Sequence, residues 1–455
     1  MRRPATPPAF PLDREAAQAI QERAIQALQD GSASEAAGAH YLHWDELRHR
    51  DPPRGLSHLE WWAALKLQRG LQRRLLPLAT SEGAAFSWVL TDSMLEGLAF
   101  IDTQLAGQVV LSEDVTNPET RDRFIVRSLI EEAITSSQLE GAATTHDVAK
   151  EMIRTGRPPR TRDERMILNN YRAMQFVRER VAEPLSRKLL FELHRIVVED
   201  AIDPPDAAGR LRDGTERVLV RDLETQEVVH VPPPAELLEA RLEAMCRFAN
   251  GEPGKPYLPP AMRAMLLHFW LAYDHPFVDG NGRTARALFY WQMLRQGYWL
   301  SEFLSISSIV RKAPMQYARA FQLVETDDRD VTYFLLHHLG VIRKAHDALK
   351  AFLERKQREV RETEGLLRTR RDLNHRQLAI LSHALRHPRA EFTVASHQMS
   401  HRVAYDTARL DLTRLEQLGY LVGTRVGRKF RWRPGPVLAK RARRTPGSRS
   451  RPRRP

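Results

Sequence analysis

The sequence predicts a mainly α-helical chain with a few short strands. Residues 261–273 and 284–294 repeat apolar side chains at helical spacing, and residues 376–418 contain three further short helical patterns. The β-branched residues that are typical of strands concentrate in one longer stretch, residues 218–231. We therefore expect helices to form the core and strands to be local additions.

Length and composition indicate a globular protein of two or three domains. The chain has 455 residues, of which 42% are hydrophobic, so each domain can bury a core. Its one cysteine, Cys246, excludes an intrachain disulfide and suits a reducing cytoplasm. The basic N-terminus lacks the apolar segment of a secretory signal, and no apolar stretch approaches the ~20 residues of a membrane span. We expect a cytoplasmic protein without membrane contact.

Residues 1–85 are expected to form a helical N-terminal extension. Residues 43–47 and 59–62 bracket an amphipathic helical region, in which Trp61 and Trp62 are interpreted as packing residues. The next stretch, residues 86–90, is typical of a short strand.

Residues 131–141 predict the end of a helix. Ser136 and Glu140 are four residues apart and therefore lie on one helical face. Gly141 would end or bend the helix and let the Glu140 carboxylate project. Taken alone, these residues also fit an ordinary helix end with a surface glutamate and a glycine cap.

Residues 218–231 predict a β-hairpin, with strands on either side of a polar turn. Pro232, Pro233 and Pro234 follow, and they stop the second strand and prevent pairing on that side. A hairpin with a purely structural role fits the same pattern.

Residues 275–286 read His-Pro-Phe-Val-Asp-Gly-Asn-Gly-Arg-Thr-Ala-Arg. Because helical patterns flank this run, we expect a helix–loop–helix whose second helix opens at Gly280, Asn281 and Gly282. Backbone N–H groups at a glycine-rich helix start point at one spot, which the helix dipole makes favourable for phosphate. The two glycines let the backbone approach an anion where a Cβ would collide.

The side chains of this run supply a base, a metal ligand and two cations. His275 can accept a proton near neutral pH, because the unperturbed pKa of histidine is about 6.5. Asp279 offers the hard oxygen that Mg2+ prefers when it is already bound to nucleotide phosphates. Arg283 and Arg286 share a helical face and can clamp two phosphates. Each residue alone has a structural explanation, but together they indicate transfer of a phosphate-containing group to a hydroxyl.

The run resembles the signature of Fic-domain proteins, His-Pro-Phe-x-Asp/Glu-Gly-Asn-Gly-Arg-x-x-Arg, at every fixed position. The resemblance implies an all-α core with a β-hairpin flap beside the site. It also implies transfer of AMP from ATP, with Mg2+, to a Ser, Thr or Tyr hydroxyl of a target protein. His275 would deprotonate that hydroxyl, and Asp279 would hold the metal. By the same resemblance Gly280, Asn281 and Gly282 would hold the α-phosphate. Arg283 and Arg286 would bind the outer phosphates.

The segment Ser136-x-x-x-Glu140-Gly141 resembles the inhibitory motif of the same family, which places an inhibitory helix at about residues 128–141. A carboxylate that pairs with Arg286 removes the arginine needed for the γ-phosphate. It also adds negative charge where the triphosphate must sit. The resemblance therefore implies a transferase that its own Glu140 holds inactive.

The hairpin resembles the family's flap, which docks the backbone of the target over the site by strand addition. The flap residues nearest to nucleotide and target would be Val228, Val229, His230 and Val231. Residues 209–212, Gly-Arg-Leu-Arg, resemble the Gly-x-x-Arg that precedes the flap. Tyr317 resembles a family tyrosine near the adenine, although an aromatic at helical spacing is also typical of a core. Glu325 stands where family members often carry an asparagine. At this position the chain departs from the family, and the departure concerns the contacts with the base and the ribose of the nucleotide.

The C-terminal region is predicted to be a separate domain. Residues 351–371 are densely charged and are interpreted as a linker helix. Residues 376–385, 393–400 and 404–418 predict three helices, and residues 420–423 and 429–433 predict two strands around Gly427. This order resembles a winged helix-turn-helix at residues 372–435, a domain often appended to Fic proteins. Residues 86–350 then form the Fic domain region.

The net charge of +13 is located at the C-terminal end. From Arg425 to Pro455 there are 13 lysines and arginines and no acidic residue, so the rest of the chain is formally neutral. Residues 436–455 are expected to be a disordered basic tail. A basic wing and tail favour DNA as a partner, with one helix in the major groove, and a protein-docking role stays open.

Two functions of different class follow from these patterns. The first is an autoinhibited protein AMP-transferase with a hydroxyl-bearing protein substrate. The second is a DNA-binding regulator whose Fic core binds nucleotide or docks partners with little turnover. The complete set of base, metal ligand and arginines favours the enzyme. Transfer of phosphate, UMP or phosphocholine stays open, as does a homodimer.

Overall fold

The computed structural model describes residues 3–9, 13–106, 118–221, 226–251, 257–367, 373–386, 390–426 and 429–436. The chain divides into two compact units. The first comprises Met1–Val109, Glu131–Thr144 and Pro159–His346, and the second comprises Val110–Ile130, Thr145–Pro158 and Asp347–Pro455. Helices predominate, which confirms the predicted fold class, and each sheet among the described residues has two strands.

Four helices form the N-terminal part of the first unit: α1 (Arg14–Gln29), α2 (Ser32–Ala37), α3 (Trp44–Leu47) and α4 (His58–Gln72). Helix α4 begins at a capping box, in which Ser57 and Glu60 satisfy each other's backbone N–H groups. Trp61 and Trp62 are buried in a cluster with alanines and leucines of these helices. The tryptophans therefore pack the N-terminal core, as expected.

A β-hairpin follows where the sequence indicated one strand. Strand β1 (Arg74–Ala79) pairs antiparallel with β2 (Ala85–Trp88), which corresponds to the expected strand at residues 86–90. Pro77 argues against a strand in β1, and it is tolerated because both strands of a two-stranded sheet are edges. The domain boundary expected at residue 85 falls within this hairpin, and both strands belong to the first unit.

Further α-helices follow β2 in chain order: α5 (Asp92–Ile101), α6 (Pro118–Leu139), α7 (His146–Thr155), α8 (Arg162–Glu179), α9 (Arg187–Val198), α10 (Leu238–Asn250), α11 (Pro260–Asp274), α12 (Asn281–Arg295), α13 (Ile306–Lys312), α14 (Pro314–Thr326) and α15 (Thr332–Leu367). Helices α11 and α12 pack against each other and are buried on nearly all sides. Within the part of the chain that the structure describes, none of the helices combines the length and the apolar character of a membrane span.

The predicted hairpin between α9 and α10 is confirmed, with short strands. Strand β3 (Val220–Arg221) pairs antiparallel with β4 (Val228–His230). Residues 222–225 of its turn lie outside the described residues. The three prolines after β4 remain outside the sheet, which is consistent with their lack of a backbone donor.

The expected linker helix is not a separate element. Residues 351–367 form the C-terminal part of α15, a continuous helix of 36 residues. The sequence has no Gly or Pro between Val341 and Glu364, so nothing interrupts the helix where the linker was expected to begin. Residues 368–371 lie outside the described residues.

The C-terminal part of the second unit contains α16 (His375–Arg386), α17 (Val394–His401), α18 (Tyr405–Gln417), β5 (Leu421–Val426) and β6 (Lys429–Pro434). The strands pair antiparallel, and a small core that includes Leu381, Leu412 and Trp432 joins them to the helices. Asp411 is buried and accepts hydrogen bonds from Arg376 and His397, which ties α16, α17 and α18 together. This element order is the one predicted. Its assignment as a winged helix-turn-helix stays a prediction, and Gly427 and the basic tail from residue 437 lie outside the described residues.

Buried histidines line the interior of the first unit beside α11. His268 of α11 and His338 of α15 have ring centroids 4.8 Å apart, and both are fully buried. Burial lowers the pKa of His338 to about 3 and the pKa of His337 to about 4. Burial also places the pKa of His268 well below its usual range. These three side chains are therefore neutral in the folded protein.

We predict that acid weakens the first unit through these histidines. The unfolded chain protonates a histidine near pH 6.5, whereas the folded chain resists protonation, so the free energy of unfolding falls as the pH drops from about 6.5 towards 4. One such histidine contributes roughly 3 kcal/mol of this loss by pH 4. Urea unfolding at several pH values in this range measures the slope. His338→Gln should give a shallower fall than the wild type, and His40→Gln, at an exposed position, should not. Equal slopes for all three proteins would contradict the prediction.

Candidate active site

The turn between α11 and α12 holds His275 in a left-handed backbone conformation, with φ 41° and ψ 58°. Such a conformation is uncommon for a residue other than glycine. The Nδ1 atom lies 2.5 Å from the carbonyl oxygen of Ala272, and because a carbonyl can only accept, Nδ1 carries the ring proton. His275 is therefore positioned with a lone pair on Nε2.

Burial lowers the pKa of His275 to about 4, and the nearby His230 acts in the same direction. The sequence suggested a base that titrates near neutral pH. The structure instead keeps the ring neutral throughout the neutral range, because the site penalises the charged form. His275 is thus a weaker base than expected, but it is always in the basic form.

The side chain of Asn281 closes the turn. Its Oδ1 accepts from the backbone N–H of Phe277 at 3.0 Å, and its Nδ2 donates to the carbonyl of Phe277 at 2.8 Å. Gly280, at φ 79°, precedes it and begins α12. The amide that was predicted to contact the α-phosphate is engaged inside the turn, so Asn281 has a structural role. Its contact with phosphate stays a prediction.

His194 of α9 supports the same turn, although no sequence pattern indicates this role. Its Nδ1 accepts from the N–H of Gly209 at 3.0 Å, and its Nε2 donates to the carbonyl of Asp279 at 2.9 Å. The ring stacks on Phe277 with centroids 3.7 Å apart. A histidine within an apolar helix carries no local signal of this role, because all three contacts are distant in sequence.

Arg212 joins the His275 turn to the base of the hairpin. Its Nε donates to the carbonyl of His275 at 2.9 Å, and its Nη2 donates to the carbonyl of Pro233. Its own N–H donates to the carbonyl of Pro276 at 2.9 Å. The Gly-x-x-Arg pattern indicated this residue only through the family. The contacts supply the physical reason, because one guanidinium fixes the turn relative to the hairpin.

The first turn of α12 carries Arg283, which is fully buried. Its Nη1 donates to the carbonyl of Val197 at 3.0 Å, and its Nη2 lies 3.5 Å from the Asp279 carboxylate. The Nε and Nη2 atoms have no hydrogen-bond partner among the described residues. Buried guanidinium donors without acceptors are costly. Together with the helix N-terminus, they make this position favourable for an anion.

The structure brings Ser136, Glu140 and Arg286 together. Arg286 is buried, and its Nε donates to Ser136 Oγ at 2.8 Å while its Nη2 donates to Glu140 Oε1 at 2.7 Å. Helix α6 ends at Leu139, and Gly141 follows at φ 93°, a conformation that favours glycine. Glu140 Oε1 lies so close to Gly282 that a Cβ at this position would collide with it. A carboxylate therefore sits at the glycine-rich start of α12.

Glu140 is ionised in this position. Burial alone would raise the pKa of Glu140, but the Arg286 guanidinium outweighs this effect and holds it below its usual range. Arg283 acts in the same direction as Arg286. The site is therefore built to hold a negative charge.

Glu132 anchors the same helix four residues before Ser136. Its carboxylate accepts from Ser307 Oγ at 2.5 Å, from Ser305 Oγ at 2.8 Å and from the N–H of Ser307 at 3.1 Å. These groups lie at the start of α13, where unsatisfied N–H groups favour an acceptor. The position of α6 therefore does not depend on the Glu140–Arg286 pair alone.

The hairpin places β4 over the His275 end of α11. Val228 and Val231 are exposed, whereas Val229 and His230 are partly buried. His230 Nε2 lies 2.7 Å from the carbonyl oxygen of Tyr273, and its Nδ1 pairs with Glu325 of α14. The predicted contacts of these four residues with nucleotide and target stay predictions.

Tyr317 packs inside the first unit near Arg286. Its hydroxyl lies 2.8 Å from His268 Nε2, and its ring meets Phe321 edge-on with centroids 5.2 Å apart. Burial raises the pKa of Tyr317, against the opposing effect of the Arg286 charge. This packing agrees with the core alternative, and a contact with adenine stays a prediction.

Asp279 is the one carboxylate of the 275–286 run. It is partly exposed, with its Oδ1 2.5 Å from the N–H of Gly280 and its Oδ2 3.6 Å from Arg162. The described residues contain no group of three or more His, Cys, Asp or Glu that could hold a metal ion. A single hard oxygen fits Mg2+ only when phosphates and water supply the other ligands. The residues are therefore compatible with an Mg2+–nucleotide, but not with a metal held by the protein alone.

We predict that removal of the Glu140 carboxylate opens an anion site. Glu140→Gln keeps the size of the side chain but removes the carboxylate that pairs with Arg286, so inorganic tripolyphosphate should bind about tenfold more tightly or better. Isothermal titration calorimetry of the full chain measures this change. Glu151→Gln, at an exposed position of α7, is the matched control. Equal affinity in Glu140→Gln and in the wild type would refute the assignment of an anion site.

Known proteins resemble part of this chain. Residues 184–293 match the Fic/DOC family. The chain is 38% identical over 109 residues to the protein adenylyltransferase Fic of Nematostella vectensis, which is 24% of this chain and 23% of the relative. It is 33% identical over 130 residues to the protein of the same name from Drosophila grimshawi, which is 28% of this chain and 24% of the relative. The chain thus spans about a quarter of the length of these curated relatives.

Solved structures of Fic proteins were also found. A Fic family protein from Desulfovibrio desulfuricans is 19% identical, with a TM-score of 0.48, and the match covers 77% of this chain and 98% of that chain. Fic-1 of C. elegans is 18% identical, with a TM-score of 0.47, and the match covers 76% and 94%. The family match spans His194, Arg212, the His275 turn, Arg283 and Arg286. Residues 184–293 of the chain are therefore similar to the Fic/DOC family.

Proposed function

We propose that this chain transfers AMP from ATP to a Ser, Thr or Tyr hydroxyl of a target protein. One observation carries the proposal: a neutral His275 lies beside an anion position at the start of α12 that Glu140 fills. The Fic/DOC family match and the adenylyltransferase names of the curated relatives support the same reaction.

The phosphates of ATP would take the position that the Glu140 carboxylate holds in this structure. Arg286 and the two Arg283 nitrogens without acceptors would then bind phosphate oxygens. Backbone N–H groups at the start of α12 would add further donors. Asp279 would hold Mg2+ together with the phosphates, and the ion, when bound, supplies positive charge that offsets the charge of the triphosphate.

The chain's own residues would perform one in-line transfer. His275 Nε2 would accept the proton of the target hydroxyl while the oxygen of that hydroxyl forms a bond to the α-phosphorus of ATP. The bond between that phosphorus and the oxygen leading to the β-phosphate breaks, and pyrophosphate leaves. Strand β4 would hold the target backbone over His275 by strand addition, with Val228 and Val231 exposed towards it.

Glu140 would inhibit this reaction by occupying the same position as the outer phosphates. The carboxylate and the triphosphate both need Arg286, and two anions cannot share one buried cation without strong repulsion. Ser136 and Gly141 support the inhibited arrangement, because the first holds Arg286 and the second ends the helix so that Glu140 reaches the site.

We predict that Glu140→Gly increases transfer from ATP labelled at the α-phosphate by about tenfold or more. Adding His275→Ala to this variant should reduce the transfer by roughly a hundredfold or more, which is the usual contribution of a general base. Labelled protein separated from free nucleotide gives the measurement, with a mixture of candidate target proteins as acceptor.

The same experiment separates the competing functions. Transfer of label from the γ-phosphate would indicate a kinase-like reaction, and transfer from UTP would indicate UMP as the transferred group. No transfer by Glu140→Gly from any nucleotide or phosphocholine donor would contradict the transferase. That result would favour a regulator with little catalysis. Glu151→Gly serves as the control for an unspecific effect of a glutamate-to-glycine change.

We propose DNA binding as a second function, located in the C-terminal part of the second unit. The supporting observation is three helices followed by an antiparallel hairpin that carries exposed arginines, Arg425, Arg431 and Arg433. Glu391 pairs with Arg431 at 2.7 Å and also with Arg433. This carboxylate therefore offsets part of the positive charge that would meet DNA phosphates.

We predict that Glu391→Gln strengthens binding of the full chain to duplex DNA, because it releases two arginines for phosphate contact. The slope of log affinity against log salt should become steeper by up to about two. Mobility-shift titrations across a salt series give both quantities. Arg425→Ala should weaken binding and reduce the slope. No binding by the wild type or by Glu391→Gln, even at low salt, would refute DNA as the partner.

A further inference from the structure

His230 of β4 faces two hydrogen-bond acceptors. Its Nε2 lies 2.7 Å from the carbonyl oxygen of Tyr273, and its Nδ1 contacts Oε1 of Glu325. The ring also lies against the Tyr273 ring, with centroids 4.6 Å apart. One side chain therefore connects the flap to the end of α11 and to the end of α14.

This arrangement determines the protonation of the pair. A backbone carbonyl and a carboxylate can only accept, so both ring nitrogens must donate for both contacts to be hydrogen bonds. A histidine that donates from both nitrogens is an imidazolium. A neutral ring would present a lone pair to one of the two oxygens, and that contact would become repulsive.

Other charged groups surround the pair. On α11, Asp274 and His275 lie near His230, and Asp274 is paired with Arg241 of α10 at 2.9 Å. Arg212 holds the carbonyls of His275 and Pro233 on the other side of the turn. On α14 the facing group is Glu325. Since Asp274 already has Arg241 as its partner, Glu325 is the carboxylate that His230 contacts directly.

We propose that Glu325 is a positioning residue that fixes β4 through His230, and that it does so only while His230 carries two protons. In the proposed transfer reaction, β4 holds the target, so the pair sets how firmly the target-docking strand is fixed over His275. This kinetic consequence rests on the proposed function. The attachment of β4 itself does not, because it follows from the contacts alone.

The chemistry of glutamine separates this proposal from a purely structural role. An amide at position 325 can donate to Nδ1 of a neutral His230, which leaves Nε2–H to donate to the Tyr273 carbonyl. Glu325→Gln therefore satisfies both contacts without the second proton. Glu325→Ala removes the contact at every pH. Glu325 is partly exposed, with 22% of its side chain accessible, so both variants should fold.

Hydrogen–deuterium exchange of the full chain at a series of pH values tests the proposal without any assay of activity. The readout is the protection of the backbone amides of residues 228–231, corrected for the intrinsic dependence of exchange on pH. In the wild type we expect protection to fall about tenfold as the pH rises, because the contacts with Tyr273 and Glu325 need an N–H at both ring nitrogens. In Glu325→Gln protection should stay high across the range, and in Glu325→Ala it should be low throughout. Glu96→Gln, which removes an exposed ion pair with Arg343, should behave as the wild type does.

Two results would overturn the proposal: protection in the wild type that does not change with pH, or protection in Glu325→Gln as low as in Glu325→Ala. Selective 15N labelling of histidine adds a direct check, because the His230 ring should carry two protons in the wild type and one in Glu325→Gln at the same pH. If Glu140→Gly transfers no AMP, the proposed function fails, while these two measurements still decide the role of Glu325.

Discussion

The site depends on the six-residue turn between the end of α11 at Asp274 and the start of α12 at Asn281. His275 and Gly280 of this turn have left-handed backbones. Glycine adopts this conformation readily, but at His275 it persists only because the surrounding structure enforces it. Hydrogen bonds stabilise the turn from three directions. Asn281 forms them within the turn, His194 forms one from α9, and Arg212 forms one from the side of the hairpin. The orientation of the His275 ring and the direction of the first N–H groups of α12 both follow from this one local geometry.

Charge balance explains why Glu140 and a phosphate group would be alternative partners of Arg286. Arg286 is buried, and an isolated buried guanidinium is strongly unfavourable unless an anion accompanies it. In the structure Glu140 provides that anion. A phosphate group would satisfy the same requirement in place of Glu140. The charge of Arg286 is thus already balanced within the folded chain, before any ligand binds.

The sequence predicts best what depends on local periodicity and on special backbone residues. The bounds of α11, α12, α17 and α18 follow from the spacing of apolar residues. The hairpin, the end of α6 before Gly141 and the start of α12 after Gly280 follow from the positions of β-branched residues, proline and glycine. The contacts of His194 and Glu325 could not be predicted, because their partners Asp279 and His230 are 85 and 95 residues away along the chain. Strand β1 was missed because Pro77 opposes a strand. The low pKa of His275 could not be predicted either, since burial is a tertiary property.

The attachment of α6 by Glu132 has a consequence for how the proposed inhibition would end. Because Ser305 and Ser307 hold the helix independently of Arg286, the Glu140 carboxylate would not need α6 to leave the core in order to leave Arg286. A rotamer change of one side chain is a much faster motion than the undocking of a helix. Under the proposed function Glu140 would therefore act as a tethered competitor, and the affinity of the site for nucleotide would set the concentration at which inhibition ends.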